Sequence, residues 1–222
     1  MAAVASAADR GSRHCCLSPN LHAAVMFATQ CFFIVLDMEK QASHTLRILD
    51  KIHAGDVLAF TWCLQLHQLD QQRTLTRASR IISASADGFY YPLIPLLLYA
   101  AGDAGALDLL LILSLGFLIE RPVYYVAKNA FKRNRPAQAL PGFSSAITPS
   151  DHFSFPSGHT SGAFLMATAV VMVYPALFWP MYLWACLVGT SRILLGVHFP
   201  TDTLAGAVMG VGWACLAGTL AA

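Results

Sequence analysis

A chain of 222 residues with 56% hydrophobic and only 12% charged residues falls well short of the roughly 25% charge of a soluble domain, a deficit that points to a lipid bilayer. A net charge of +2 is too small to argue for a nucleic-acid partner. The six cysteines, Cys15, Cys16, Cys31, Cys63, Cys186 and Cys215, match neither a zinc pattern nor a disulfide framework and read as structural or incidental.

Residues 1–20 are small, polar and irregular, and read as a flexible tail. Residues 23–36 are apolar but shorter than the about 20 residues of a comfortable span. A short first transmembrane helix, a signal-peptide core and an interfacial helix all fit. The lack of a small-x-small cleavage site after the run favours a membrane-associated helix that is retained. Residues 37–80 mix Lys40, Arg47, Lys51, Arg73, Arg77 and Arg80 with apolar residues at helical spacing, such as Val57, Phe60 and Leu64. They read either as amphipathic helices on the membrane surface or as a helical segment packed on the membrane core.

Asp87-Gly88 marks a change of character. An apolar run follows at 89–101, whose helix can begin as early as Ile81. The turn Gly102-Asp103-Ala104-Gly105 separates it from a second run at 107–127, where Glu120 and Arg121 read as interfacial charges near the end of the span. A basic patch at 128–136 leads into a polar loop with Pro141, Gly142 and Pro149. Residues 160–191 hold no Asp, Glu, Lys, Arg or His, and Pro175 and Pro180 divide them into a helical hairpin. A last apolar run, 203–222, is long enough to span alone. Only helices or closed barrels satisfy their backbone within hydrocarbon, and these runs lack barrel alternation. The expected fold is all-α: a polytopic membrane helical bundle with five transmembrane helices, or six if 23–36 crosses. The expected division is a tail at 1–20, a membrane-associated and amphipathic region at 21–80, and a catalytic core at 81–222.

Polar residues gather at three helix ends. The first cluster holds Lys128, Arg135 and Pro136; the second Pro156, Ser157, Gly158 and His159; the third Ser191, Arg192, His198 and Asp202. Lys offers a point charge and Arg a planar fork that fits phosphate oxygens, so Lys128, Arg135 and Arg192 can surround one phosphoryl group and neutralise it without a metal. Ser157-Gly158 precedes a long helix, whose first N–H groups can cradle an anion. Two-step phosphoryl transfer needs a nucleophile and an acid for the leaving oxygen. Asp202 follows His198 by four residues, and Pro200 favours a helix start that brings them to one side. A carboxylate on one imidazole nitrogen exposes the other as nucleophile. This assigns His198 as nucleophile, Asp202 as its orienter and His159 as acid.

The pattern Lys-x6-Arg-Pro, Pro-Ser-Gly-His, Ser-Arg-x5-His-x3-Asp resembles the three-part signature of the type 2 phosphatidic acid phosphatases. These are lipid phosphate phosphatases related in their core to vanadium haloperoxidases and bacterial acid phosphatases. No signature position is missing, and the similarity runs from about Ser83 to the C-terminus, with Asp87-Gly88 and Tyr90-Tyr91-Pro92 also family-like. The resemblance implies a helical core whose motifs converge at one membrane face. It also implies the histidine and aspartate roles above, phosphate binding by Lys128, Arg135 and Arg192 with Ser157 and Gly158, and no metal or other cofactor. The expected partners are a lipid phosphate and the bilayer, in the cell (inner) membrane. Phosphatidate, phosphatidylglycerol phosphate, undecaprenyl or other isoprenyl diphosphates and lysophospholipids all fit as substrates. A lipid phosphotransferase using the same histidine intermediate is the alternative, since only the group attacking the phosphohistidine differs. A haloperoxidase is disfavoured by the uncharged spans, and a non-catalytic scaffold by the complete signature.

Overall fold

The computed structural model describes residues 51, 53–62, 65, 73–149 and 151–222. Chain contacts divide the protein into Met1–Ile52 and His53–Ala222, and the helices and the candidate site lie in the second unit. The expected tail at 1–20 and the run at 23–36 lie outside the described residues.

Among the described residues every regular element is helical and no strand occurs. Residues 53–62 form a helical stretch. After it come α1 (Thr74–Ala84), α2 (Leu93–Ala100), α3 (Ala106–Phe131), the single turn α4 (Pro136–Ala139), α5 (Gly158–Val173), α6 (Phe178–Leu194) and α7 (Pro200–Ala221). Proline sets several boundaries. Pro136 and Pro200 occupy first helical positions, where the missing N–H costs nothing and the fixed φ is already helical. Pro175 starts a 3-10 turn that ends the uncharged run of α5, so the expected hairpin is present. Pro180 falls in the first turn of α6 and is tolerated there.

The apolar run at 89–101 is less regular than its composition suggests. Turns fill 85–92, and only Leu93–Ala100 is α-helical. Eight residues rise about 12 Å, well under a hydrocarbon thickness of about 30 Å. α6 with its preceding turn (Pro175–Leu194) and α7 (Pro200–Ala221) are long and apolar enough to cross a membrane.

α5 forms the centre of the bundle, packing on α3, α6 and α7. Its most extensive contact is with α7, which buries Gly206, Gly210, Ala214 and Ala217 along one stripe. The backbones meet directly there. A Cβ on Gly206 would stand 2.5 Å from the Ser157 carbonyl oxygen, and one on Gly210 would stand 2.2 Å from that of Ser161. Small residues at this spacing allow the approach that dispersion and packing reward between apolar helices. The apolar core adds Leu109, Ile112 and Leu113 of α3 to Leu165, Met166 and Ala169 of α5. Outward-facing Leu118, Trp179, Leu204 and Val208 are all more than 60% exposed, leaving a wide apolar exterior.

Glu120 differs from its expected place. It is fully buried, pairs with Arg121 and accepts a 2.7 Å hydrogen bond from Ser161 Oγ. A buried carboxylate needs such partners, and α5 supplies one that the local sequence does not reveal.

Candidate active site

The three motifs occupy one end of the bundle because consecutive long helices alternate in direction. α3 ends on the first cluster, α5 begins on the second, α6 ends on the third, and α7 begins just after it. Backbone contacts close this end: the Ser157 N–H donates to the Asp202 carbonyl at 2.9 Å, and the Ala146 N–H to that of Leu195 at 3.0 Å.

His198 lies in the short connection between α6 and α7. Gly196 makes the turn before it, with φ +74°, and a Cβ there would stand 2.5 Å from the Phe143 ring. Both the left-handed backbone and the close ring demand glycine. His198 is 2% exposed. Its Nδ1 stands 3.7 Å from Asp202 Oδ2, longer than a hydrogen bond, and has no hydrogen-bond partner among the described residues. The Asp202 carboxylate is held otherwise. Oδ2 accepts from the Phe199 N–H at 2.8 Å, and Oδ1 from Arg133 Nη1 at 2.7 Å. The first contact is the backward reach of an N3 carboxylate at a helix start. The second comes from a residue outside the signature.

Burial lowers the His198 pKa from 6.5 to about 4; Asp202 pulls the other way, and the Arg135 and Arg192 charges reinforce the drop. The ring is therefore neutral at pH 7, with a lone pair available.

Ser157 stands at the N-cap of α5, but its side chain makes no cap hydrogen bond. Its hydroxyl pairs instead with that of Thr160 at 2.9 Å. Gly158 lies under the Tyr124 ring, where a Cβ would approach to 3.0 Å. His159 Nε2 is 2.9 Å from Asp87 Oδ1. Arg192 is buried, and its Nη1 donates to Ser83 Oγ at 2.7 Å. Its Nε is buried with no partner among the described residues.

Lys128 and Arg135 are both buried and both end on Asp151. Tyr124 donates to the same carboxylate at 2.6 Å and accepts from Lys128. Arg135 also donates to the Val197 carbonyl at 2.6 Å, directly before His198, and to the Asp151 carbonyl at 3.1 Å. Burial alone would raise the Asp151 pKa, but the Lys128 and Tyr124 hydrogen bonds and the Lys128 and Arg135 charges outweigh it and hold the carboxyl at about 2.

Sequence reasoning missed Asp151, Asp87, Arg133, Asp56 and Tyr124. Arg133 also pairs with Asp56 Oδ2 at 2.5 Å. Asp56 accepts the Thr201 N–H at 3.0 Å, so residues 53–62 clamp the start of α7. Only Asp87 carried a signal, through the family-like Asp87-Gly88 pair. Among the described residues no three His, Cys, Asp or Glu side chains gather to hold a metal ion.

A cavity of about 700 Å³ opens beside His159. Its polar end holds Asp87, Arg121, Tyr124, Asp151 and His159, and its walls run along α3 past Phe117, Leu113 and Leu110. The Arg121 guanidinium lies 5.1 Å from the Tyr124 ring centre and 5.8 Å from that of Phe117.

Known proteins resemble this chain in sequence and fold. The "Probable lipid phosphate phosphatase beta" of Arabidopsis thaliana is 32% identical over an alignment covering 44% of this chain and 58% of that protein. The chain spans between 30% and 54% of the length of other curated relatives. The crystal structure of Aquifex aeolicus LpxE aligns with TM-score 0.57 at 28% identity, covering 69% of this chain and 93% of that one. A PAP2 type phosphatidylglycerolphosphate phosphatase from Bacillus subtilis aligns with TM-score 0.59 at 24% identity over 76% of this chain and 85% of that one, a likeness of fold. The PAP2 superfamily model matches residues 105–221, more than half of the chain and all three motifs. By that match the chain belongs to the PAP2 superfamily.

Proposed function

We propose that this protein is an integral membrane phosphatase that removes phosphate from a lipid phosphomonoester or diphosphate through a phosphohistidine on His198. One observation carries the reading: two cations, Lys128 and Arg135, converge on one anion-binding point beside His159, at the mouth of an apolar-walled cavity, and Arg135 also holds the carbonyl next to His198. The apolar exterior supports a bilayer location. We place α3, α5, α6 and α7 across the membrane, with a fifth crossing from the α1–α2 region and a sixth if 23–36 spans. Residues 81–222 then form the catalytic core, with Asp56 and Arg133 bracing it from outside the signature.

In this reading the phosphoryl oxygens lie against Lys128, Arg135, Arg192 and the first N–H groups of α5 after Ser157 and Gly158. Fixed positive charge there stabilises the equatorial oxygens of the transition state. The neutral His198 uses Nε2, the nitrogen not facing Asp202, to attack phosphorus. The new P–N bond forms as the P–O bond to the lipid breaks, and His159 delivers a proton to the departing oxygen. Water then attacks the phosphohistidine, giving its proton to His159 and releasing inorganic phosphate and free His198. Asp202 steadies the imidazole as its charge develops, and Asp87 fixes the tautomer and direction of His159. The cations leave no step that requires a metal.

The lipid class rests on the cavity walls and on the Arabidopsis relative. Phosphatidate, phosphatidylglycerol phosphate and isoprenyl diphosphates are all candidates. The test is release of inorganic phosphate from a panel of these lipids by detergent-solubilised protein in EDTA, with and without an acceptor alcohol. Release should persist in EDTA and fall to background in His198→Ala. Loss on chelation refutes the metal-free route, near-full activity in His198→Ala refutes the nucleophile, and turnover only with the acceptor identifies a transferase.

A further inference from the structure

Lys128, Arg135 and Tyr124 come from different turns and all end on Asp151, a residue outside the three motifs. A carboxylate presents oxygens to an ammonium and a guanidinium much as a phosphate does. We propose that the Asp151 carboxylate is a built-in competitor for the phosphate site, and that it makes the site selective for doubly charged phosphate groups over singly charged phosphodiesters. The proposal rests on the phosphatase reading of the same site.

Several observations fit a side chain built to be displaced. Asp151 is 35% exposed, whereas Lys128 and Arg135 are 7% and 5% exposed. The cations are fixed and the anion is the accessible partner. Asp151 lines the cavity beside His159, so its carboxylate has room to swing away. Its backbone remains anchored when it does, because Arg135 Nε holds the Asp151 carbonyl. Its charged form also persists at any physiological pH, with the pKa held at about 2.

Charge bookkeeping then sets selectivity. An incoming diester carries one negative charge and replaces one negative charge. It gains little at the cations and still loses its own hydration. A phosphate monoester dianion replaces one charge with two. The excess faces Arg192, whose Nη1 donates to Ser83 and whose Nε has no partner among the described residues. A bilayer surface is crowded with phosphodiester headgroups, so an open cationic site of this kind would fill with them. An internal carboxylate keeps the site empty of monoanions without closing it to substrate.

The test reads binding without turnover, so its failure is separate from failure of the phosphatase reading. Binding of inorganic phosphate and of dimethyl phosphate is measured by calorimetry at pH 8 on the full chain in detergent. The parent should bind phosphate and show no measurable affinity for dimethyl phosphate. Asp151→Asn and Asp151→Ser should bind phosphate at least about tenfold more tightly and acquire measurable dimethyl phosphate binding, while Asp151→Glu should discriminate as the parent does. If Asp151 only holds Lys128 and Arg135 in place, both uncharged variants lose phosphate affinity, which overturns the proposal. Should those variants fail to fold, the parent still decides: equal affinity for the two ligands overturns it, and rejection of dimethyl phosphate supports it.

Discussion

His198, the proposed nucleophile, shows how far burial alone can hold an imidazole neutral. A solvent-exposed imidazole is partly protonated near neutrality, whereas this one is held neutral down to about pH 4. The same shift has a stability consequence with a definite sign. Between pH 6.5 and about 4 the unfolded chain takes up a proton that the folded chain refuses. The contribution is therefore complete above pH 6.5 and is lost as pH falls toward 4. At about 1.4 kcal/mol per unit the loss amounts to about 3 kcal/mol. The melting temperature in detergent should fall between pH 7 and 5, and His198→Asn should flatten much of that fall. Parallel curves for the two proteins would remove His198 as its source.

The candidate residues stood out in the sequence as three polar clusters at the ends of apolar runs. Their partners did not. Asp151 sits among ordinary polar residues of a loop, and only the path of that loop carries it to Lys128 and Arg135. Asp56 and Arg133 are separated by 77 positions, and nothing periodic connects them. The expected His198–Asp202 hydrogen bond stands instead as a 3.7 Å approach, because the carboxylate also serves the Phe199 N–H and Arg133. The spacing gave proximity but not the competition for lone pairs.

At the scale of elements, the seam between α5 and α7 decides the geometry of the site. α5 begins beside Ser157, Gly158 and His159, and α7 begins two residues after His198. Their separation is set by Gly206 and Gly210 against the carbonyls of Ser157 and Ser161. No flexible side chain lies between to absorb a change. Gly210→Ala should therefore push the helices apart, costing about 1–3 kcal/mol as overpacking and reducing phosphate release by more than tenfold. Gly212 faces open space, and Gly212→Ala should leave activity unchanged and gain up to about 1 kcal/mol of helix propensity. Thermal melts and phosphate assays on the pair provide the check; equal behaviour would deny the seam its role. α5, α6 and α7 were readable as helices from long uncharged runs with proline at their edges. The break between α1 and α2 was less so: Asp87-Gly88 marked a change of character, but a helix starting as early as Ile81 remained open where the structure folds 85–92 as turns. Composition records hydrophobicity there, and the backbone path depends on Tyr91 packing beside Phe117 and Trp184.

At the scale of the whole molecule, the alternation of α3, α5, α6 and α7 sorts the chain into two ends. The loop around Ser145 belongs to the site end, tied to it by the Ala146–Leu195 hydrogen bond. The last residue, Ala222, closes α7 at the far end. Accessibility reporters placed at Ser145 and after Ala222 should label from opposite sides of the membrane. Labelling from one side would contradict the proposed crossing of α7.

That alternation also separates chemistry from address. The proposed phosphoryl-binding residues are held by contacts internal to the bundle, and inverting the bundle leaves every contact among them intact. Which compartment they face depends on the parity of crossings that precede α3. One crossing gained or lost upstream would carry the same site to the other face of the membrane, with no substitution within it.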